Sequence, residues 1–129
     1  MNAQIPVNNA LKLILEKYAQ LAMFENCDIK SPESADPAGD TPFHIAAYDG
    51  DIEAIKIMLP CISDINIKGD NGDSPLHYAI MNNKPEIVRL LILNGADVMK
   101  KNDYGDTPID AMKDNEIFQN LLLELKISN

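Results

Sequence analysis

The first regular pattern along the chain is a stripe of apolar residues near the N-terminus. Over residues 7–24 the apolar side chains recur every three or four positions, with no internal proline or glycine, which is the spacing of one helical face. The pattern predicts one long helix. Its apolar face is expected to cover the neighbouring core, and a partner-binding amphipathic helix is the alternative. The stripe consists of Leu11, Ile14, Leu15, Tyr18, Leu21 and Ala22.

A polar segment without any period follows at residues 27–38, and it contains Pro32 and Pro37. Polar residues and prolines without periodicity predict a loop. Surface loops often carry binding residues, and a merely tolerated insertion is the alternative.

Short helical patterns then occur in pairs. The first helix of each pair begins at a hydroxyl residue followed by proline, at Thr41, Ser74 and Thr107. The hydroxyl can cap free backbone N–H groups, and proline at the first helical position loses no hydrogen bond. Gly95 is expected to end a helix in the left-handed conformation. The predicted helices span residues 42–48, 52–59, 75–81, 85–93, 108–113 and 116–126.

These hydroxyl residues stand 33 positions apart because the whole unit recurs. Asp-Thr-Pro-Phe-His at 40–44 returns as Asp-Ser-Pro-Leu-His at 73–77 and as Asp-Thr-Pro-Ile-Asp at 106–110. A fixed period of this length is typical of a solenoid of stacked repeats. Each unit of such a fold contacts only its neighbours, and the stack presents an extended concave surface, which favours binding over catalysis.

The repeated unit is similar to the ankyrin repeat, whose pattern reads Gly-x-Thr-Pro-Leu-His-x-Ala-Ala, then Glu-Ile-Val-x-Leu-Leu, then Gly-Ala-Asp-Val-Asn. The resemblance covers residues 36 to about 125. It departs at 60–63, where Pro-Cys-Ile-Ser replaces the usual Gly-Ala turn, and at Asp110, which replaces histidine. The resemblance implies an all-α ankyrin-repeat solenoid of stacked helix-turn-helix units with β-turn fingers. It also implies that His44 and His77 are structural and bond to the turn.

We expect one domain over residues 1–129, because stacked repeats share a single elongated core. Residues 7–26 are expected to form an N-terminal capping helix, and residues 36–68 and 69–101 two full repeats. Residues 102–129 are expected to form a shortened C-terminal capping repeat.

Composition adds the expected cellular setting. No apolar run approaches the roughly 18 residues of a membrane span, and no leader pattern opens the sequence, so we expect a soluble, unprocessed, cytoplasmic protein. Lysine outnumbers arginine ten to one, Arg89 being the only arginine. This ratio points to an AT-rich genome and so to a microbial source, for example a bacterial one.

The two cysteines, Cys27 and Cys61, lack the spacing of a metal or redox motif. We expect them to be small buried hydrophobes.

The net charge of −9 is unevenly distributed. Residues 31–68 carry seven acids against two lysines, and residues 102–129 carry six against two. Binding to nucleic acid needs clustered lysine and arginine, so the sequence predicts no nucleic-acid or membrane binding. A partner with a basic surface is favoured instead.

The pattern of a catalytic site is missing from the sequence. The two histidines lack convergent partners, and the sequence contains neither a Gly-rich phosphate loop nor a Gly-x-Ser-x-Gly elbow. The paired carboxylates Asp49 and Asp51 fall on a turn in a fold without a deep pocket. We therefore predict no enzyme activity, no cofactor and no metal, with metal-dependent activity at the acidic turns as the alternative.

Ankyrin repeats usually bind through their turn tips and inner helices, and the resemblance implies which positions these are. Tyr48, Met81 and Tyr104 are large side chains at positions expected to face solvent, beside a row of aspartates. An aromatic centre with a charged rim is typical of an interface hot spot, although aspartate beside glycine is also ordinary turn chemistry. The candidate partner-binding residues are Asp40, Tyr48, Asp49, Asp70, Asn71, Asp73, Met81, Asn82, Asp103, Tyr104, Asp106 and Asp114.

The predicted function is non-catalytic protein–protein interaction by a monomer, through an acidic concave face. Two specific hypotheses fit this function. An inhibitor or immunity-type protein would block the basic active site of a toxin or nuclease in a salt-sensitive complex. A scaffold or microbial effector would dock on a host or regulatory protein through Tyr48, Met81 and Tyr104, in a complex that survives salt.

Overall fold

In the computed structural model, which describes residues 7–127, the chain forms seven α-helices and no strand. The all-α solenoid predicted from the sequence is confirmed. Within the same residues, every helix falls short of the length and apolarity that a bilayer crossing demands. The helices are α1 (Val7–Ala19), α2 (Pro42–Asp49), α3 (Ile52–Met58), α4 (Pro75–Met81), α5 (Pro85–Leu93), α6 (Pro108–Lys113) and α7 (Gln119–Glu124).

The inner helices begin as the sequence predicts. The side-chain oxygens of Thr41, Ser74 and Thr107 each accept a hydrogen bond from the backbone N–H three residues further on, and proline occupies the first turn each time. Gly95 follows α5 with φ of +98°, as expected for a left-handed helix end. Capping residues therefore fix where each unit starts.

The units stack side by side. The inner helix α2 packs against α4 and α4 against α6, while the outer helix α3 packs against α5, and α1 lies against both α2 and α3. Phe43, Leu76 and Ile109 occupy the same position in successive units and are all buried in one continuous core. Repetition of one packing rule thus extends the core along the whole stack.

The prediction of a single helix over residues 7–24 is wrong at its C-terminal end. α1 stops at Ala19, Leu21 is extended with ψ of 143°, and a 3-10 turn covers Ala22–Phe24. A straight helix turns by about 100° per residue, so it would carry Phe24 about 120° around the axis from Tyr18. The break brings Phe24 to a buried position instead.

The last outer helix also differs from the prediction of one helix over 116–126. A 3-10 turn spans Glu116–Phe118 and precedes α7, which ends at Glu124. The turn buries Phe118 completely. Lys126 has a φ of +57°, a left-handed conformation that cannot continue a helix.

Pro60 explains a smaller difference at the end of α3. This helix ends at Met58, one residue before the predicted end, and a 3-10 turn over Leu59–Cys61 follows. Proline has no N–H to donate into the helical ladder. The turn leaves Cys61 exposed, and Cys27 is only partly buried. The prediction that the cysteines are buried is therefore wrong for Cys61.

The loop over residues 27–38 is confirmed as a loop and is tied to the next unit. The Glu33 carboxylate accepts hydrogen bonds from the backbone N–H groups of Ser63 and Asp64, at 3.2 and 3.1 Å. One period later, Asn66 Oδ1 accepts the N–H of Asp97 at 2.8 Å. The loop therefore makes the same kind of connection between units that the later turns make.

Candidate functional site on the concave face

One side of the stack is formed by α2, α4 and α6 together with the turns that precede them. We call these turns fingers and this side the concave face. Most of the predicted binding residues are on its surface. Tyr48, Met81 and Tyr104 are 40, 58 and 73% exposed. Asp49, Asp70, Asn71, Asp103, Asp106 and Asp114 are also exposed, and Asn82 is partly buried.

Asp40 is a correction to the predicted binding surface, because it is only 9% exposed. Its Oδ1 accepts the backbone N–H of Asp70 at 3.0 Å and the hydroxyl of Tyr78. Burial and this hydrogen bond to Asp40 raise the pKa of Tyr78 above its ordinary value. Asp40 therefore joins the first finger to the second and to α4.

Asp73 is a second correction, since it is only 6% exposed. Its Oδ1 accepts a hydrogen bond from Asn102 Nδ2 at 2.9 Å. Next to it, the backbone N–H of Asp103 donates to the carbonyl of Asn71 at 2.9 Å. Both buried aspartates thus hold successive fingers together.

The two histidines perform the structural role that the resemblance implied. His44 Nδ1 lies 3.2 Å from the N–H of Thr41, and its Nε2 lies 2.8 Å from the carbonyl of Ile67. A carbonyl only accepts, so Nε2 carries the proton and Nδ1 accepts. His77 repeats this arrangement, with Nε2 3.0 Å from the carbonyl of Asp106. Burial lowers the pKa of His44, although its backbone partners act in the opposite sense.

A first groove of about 300 Å³ lies between α2 and α4, and Ile45, Tyr48, Tyr78 and Met81 form much of its wall. The rings of Tyr48 and Tyr78 meet edge to face, with centroids 6.3 Å apart. This geometry is favoured for aromatic pairs. The Asn82 side chain also donates to the carbonyl of Tyr48 at 2.8 Å, so the apolar wall is held in place from two sides.

A second groove of about 450 Å³ lies between α4 and α6, and it is more polar. Asp73 and Asp106 line it with Asn83, Asn102 and Asn115. Asn115 donates to Asn83 Oδ1 at 2.8 Å, a bond that links the ends of α4 and α6. The two grooves share Met81 and Asp73, so Met81 forms the ridge between them.

Tyr104 stands at the tip of the third finger and is held there. Its hydroxyl donates to Asn71 Oδ1 at 3.2 Å, and its backbone N–H donates to Asn102 Oδ1 at 2.9 Å. A side chain that is fixed while still exposed loses little conformational entropy when it binds. Tyr104 is therefore suited to contact a partner.

Exposed carboxylates and exposed lysines both lie along this face. Asp70, Asp103 and Asp106 lie at the fingers, and the exposed Lys68 and Lys101 precede the second and third fingers. In the part of the chain that the structure describes, no group of three or more His, Cys, Asp or Glu side chains is arranged to hold a metal ion. The face offers carboxylates and apolar side chains for contact.

Sequence reasoning missed the groove walls. Ile45, Tyr78 and Ala111 line the grooves, and they occupy one position of the repeat, 33 residues apart. Their variation from isoleucine to tyrosine to alanine, inside an otherwise regular unit, was the available signal.

A family model described as ankyrin repeats, in three copies, matches residues 6–102, about three quarters of the chain. The matched range begins next to α1 and ends in the third finger, so it includes the N-terminal segment and leaves out α6 and α7. A search of curated proteins found no match.

Proposed function

Because this chain belongs to the ankyrin repeat family, whose members are generally non-catalytic protein-interaction modules, we propose that it binds a protein partner through its concave face. The observation that carries the proposal is the row of Tyr48, Met81 and Tyr104, which are large and exposed along one face. Interface hot spots are enriched in such side chains. Hydrogen bonds hold the Tyr48 backbone and the Tyr104 side chain in place before any partner binds.

We propose further that the partner is basic where it meets the fingers. The exposed carboxylates of Asp70 and Asp106 line the first and second grooves, and Asp103 is exposed at the third finger. Rim charge of this kind governs association rate and partner choice more than affinity. The net charge of −9 adds a long-range attraction for a basic surface. The free thiols of Cys27 and Cys61 suit a reducing compartment such as the cytoplasm.

A second, more specific candidate is an inhibitor that covers the basic active site of a toxin or nuclease. It is favoured by the same acidic fingers, whose carboxylates would occupy sites made for phosphate. A scaffold or effector would instead depend on Tyr48, Met81 and Tyr104, and salt would weaken it less.

Affinity capture from a lysate of the source cells tests the proposal with two matched triple variants. One replaces Tyr48, Met81 and Tyr104 by alanine. The other replaces Leu13, Leu93 and Leu123, which lie elsewhere and as a set are somewhat more exposed. We expect a partner that the wild type and the leucine variant retain and the concave-face variant loses. Equal retention by both variants, or loss from the leucine variant alone, would contradict the proposal. Loss in a high-salt wash would favour the inhibitor over the scaffold.

A further inference from the structure

Resting on the proposed function, we infer that the concave face binds an extended segment of its partner in the polyproline II conformation. This segment places an apolar side chain in the first groove and a lysine or arginine, three residues away, in the second groove.

The two grooves differ in chemistry while sharing one wall. The first is mainly apolar, with Tyr48, Tyr78 and Met81 in its wall and the tyrosine rings edge to face, although Asp70 and Asp73 also line it. The second is more polar: Asp106 and three asparagine side chains line it beside Asp73, together with the apolar Ile80 and Ala111. One linear ligand that spans both therefore needs an apolar group at one point and a cation at another.

The first groove suits proline or an aliphatic side chain. Aromatic-lined grooves recognise polyproline II segments because these are already extended and lose little entropy on binding. The Tyr48 ring meets the Tyr78 ring edge to face, and Asn82 holds the Tyr48 backbone through a hydrogen bond to its carbonyl. This wall exists before the ligand arrives.

The second groove suits a cation. The exposed carboxylate of Asp106 lies at its edge, and Asp73 Oδ1 already accepts from Asn102. A lysine or arginine entering here meets carboxylate and amide oxygens, which accept its N–H donors. An acidic side chain at the same place would be repelled.

The distance between the grooves selects the conformation. Packed helices such as α2, α4 and α6 lie about 8–10 Å apart, and three residues of polyproline II advance about 9 Å and return to the same face. In a β-strand, residues three apart point to opposite faces. A helix of about 10–12 Å diameter would rest on the Met81 ridge and leave both grooves unfilled.

Titration of ¹⁵N-labelled protein with synthetic peptides, followed by amide chemical shifts, tests this inference at low and high salt. The probe is Gly-Ser-Pro-Leu-Pro-Pro-Arg-Pro-Ser-Gly, with leucine and arginine three positions apart, together with the peptide in which these two are exchanged. The first control brings leucine and arginine next to each other, and the second replaces arginine by glutamate. We expect one of the probes to shift the amides of Tyr48, Met81 and Asn83 and to bind about tenfold more tightly than both controls.

Two protein variants with the same change in charge locate the cation. Asp106→Asn removes a carboxylate of the second groove, whereas Glu86→Gln removes an exposed one from the outer helix α5. Both should give the amide spectrum of a folded protein. Asp106→Asn is expected to weaken the probe about tenfold at low salt, and Glu86→Gln to leave its affinity unchanged.

Equal affinity for the probe and the controls, equal effects of the two variants, shifts confined to the outer helices, or no shift at millimolar peptide would each overturn the inference. Failure of the proposed function gives a different result. If the captured partner depends on Tyr48, Met81 and Tyr104 while the peptides show no preference for spacing, only the present inference fails. If the peptides bind the grooves while capture ignores those three residues, only the proposed function fails.

Discussion

At the scale of single residues, one position of the repeat illustrates how a neighbour decides a side chain's role. Asp40, Asp73 and Asp106 are equivalent by sequence, yet the first two are buried and the third is exposed. Asp40 and Asp73 accept hydrogen bonds from the following finger. No further finger follows Asp106 in the described part of the chain, so its carboxylate remains in solvent and is available to a ligand.

This difference predicts unequal stability effects for identical substitutions. Asp40→Ala should lower the free energy of unfolding by about 2–3 kcal/mol, because the Tyr78 hydroxyl and the Asp70 N–H lose a charged acceptor. Asp106→Ala should change it by less than about 0.5 kcal/mol, as expected for an exposed site. Urea unfolding at neutral pH measures both values. Similar losses in the two variants would show that Asp40 does not act as a buried link.

The histidine position follows the same rule. His44 and His77 donate from Nε2 towards the carbonyls of Asp73 and Asp106 in the next unit, and Asp110 takes the histidine position in the third unit. Because the described residues contain no fourth unit, the third position has no carbonyl to bond. The departure from the family pattern at Asp110 therefore marks the last stacked unit of the described chain.

The lowered pKa of His44 predicts that stability falls as the solution becomes mildly acidic. The unfolded histidine gains a proton near pH 6.5, whereas burial keeps folded His44 neutral to lower pH. The contribution is therefore complete above about pH 7.5 and is lost as pH falls, by at most about 1.4 kcal/mol per pH unit. Urea unfolding at pH 7.5, 6.5 and 5.5 measures this, with an NMR titration of the His44 ring to assign it. Constant or rising stability over this range would contradict the assignment.

At the scale of elements, Asp51 fastens α1 to the first repeat. Its Oδ1 accepts the N–H of Ala54 and so caps α3, while its Oδ2 accepts from Tyr18 and Lys17 at 2.8 and 2.9 Å. Burial alone would raise the pKa of Asp51, but the hydrogen bonds from Lys17, Tyr18 and Ala54 outweigh it and lower the pKa. Lys17 is exposed, and an exposed ion pair contributes little. The cap and the buried Tyr18 hydroxyl therefore dominate.

Two substitutions at Asp51 separate these contributions. Asp51→Ala should destabilise the protein by about 2–3 kcal/mol, because the helix cap and the acceptor of the Tyr18 hydroxyl are lost together. Asp51→Asn keeps an acceptor oxygen and should cost less than half as much. Chemical unfolding gives the total, and hydrogen exchange of the α1 amides reports its local release. If both variants lose the same stability, the charge rather than the cap matters.

The starts of the inner helices were predictable from the sequence, whereas other helix boundaries were less so. Thr41, Ser74 and Thr107 carry their caps within four residues of sequence, so local chemistry decides the start. α1 ends before Phe24 and α7 begins only after Phe118, because burial of each phenylalanine outweighs helical continuity. The core that buries them is built from distant residues. The exposure of Tyr48, Met81 and Tyr104 was predictable from their positions in the repeat. The burial of Asp40 and Asp73 was not, because it depends on hydrogen bonds from the following finger.

At the scale of the whole molecule, repetition explains why the fold could be predicted and the partner could not. The same capping, packing and histidine bonds recur every 33 residues, so one correct unit describes the stack. The concave face breaks this repetition, since Ile45, Tyr78 and Ala111 differ at one position and create two unlike grooves. We therefore expect partner specificity to reside in the positions that vary between units, on a scaffold that does not vary.

Hydrogen–deuterium exchange of the protein, free and bound to its captured partner, tests the concave face most directly. The account predicts slower exchange on binding at the second and third fingers and at the C-terminal ends of α2 and α4, around Tyr48, Met81 and Tyr104. The outer helices α3, α5 and α7 should exchange as in the free protein. Protection confined to those outer helices, with the fingers unchanged, would contradict the account.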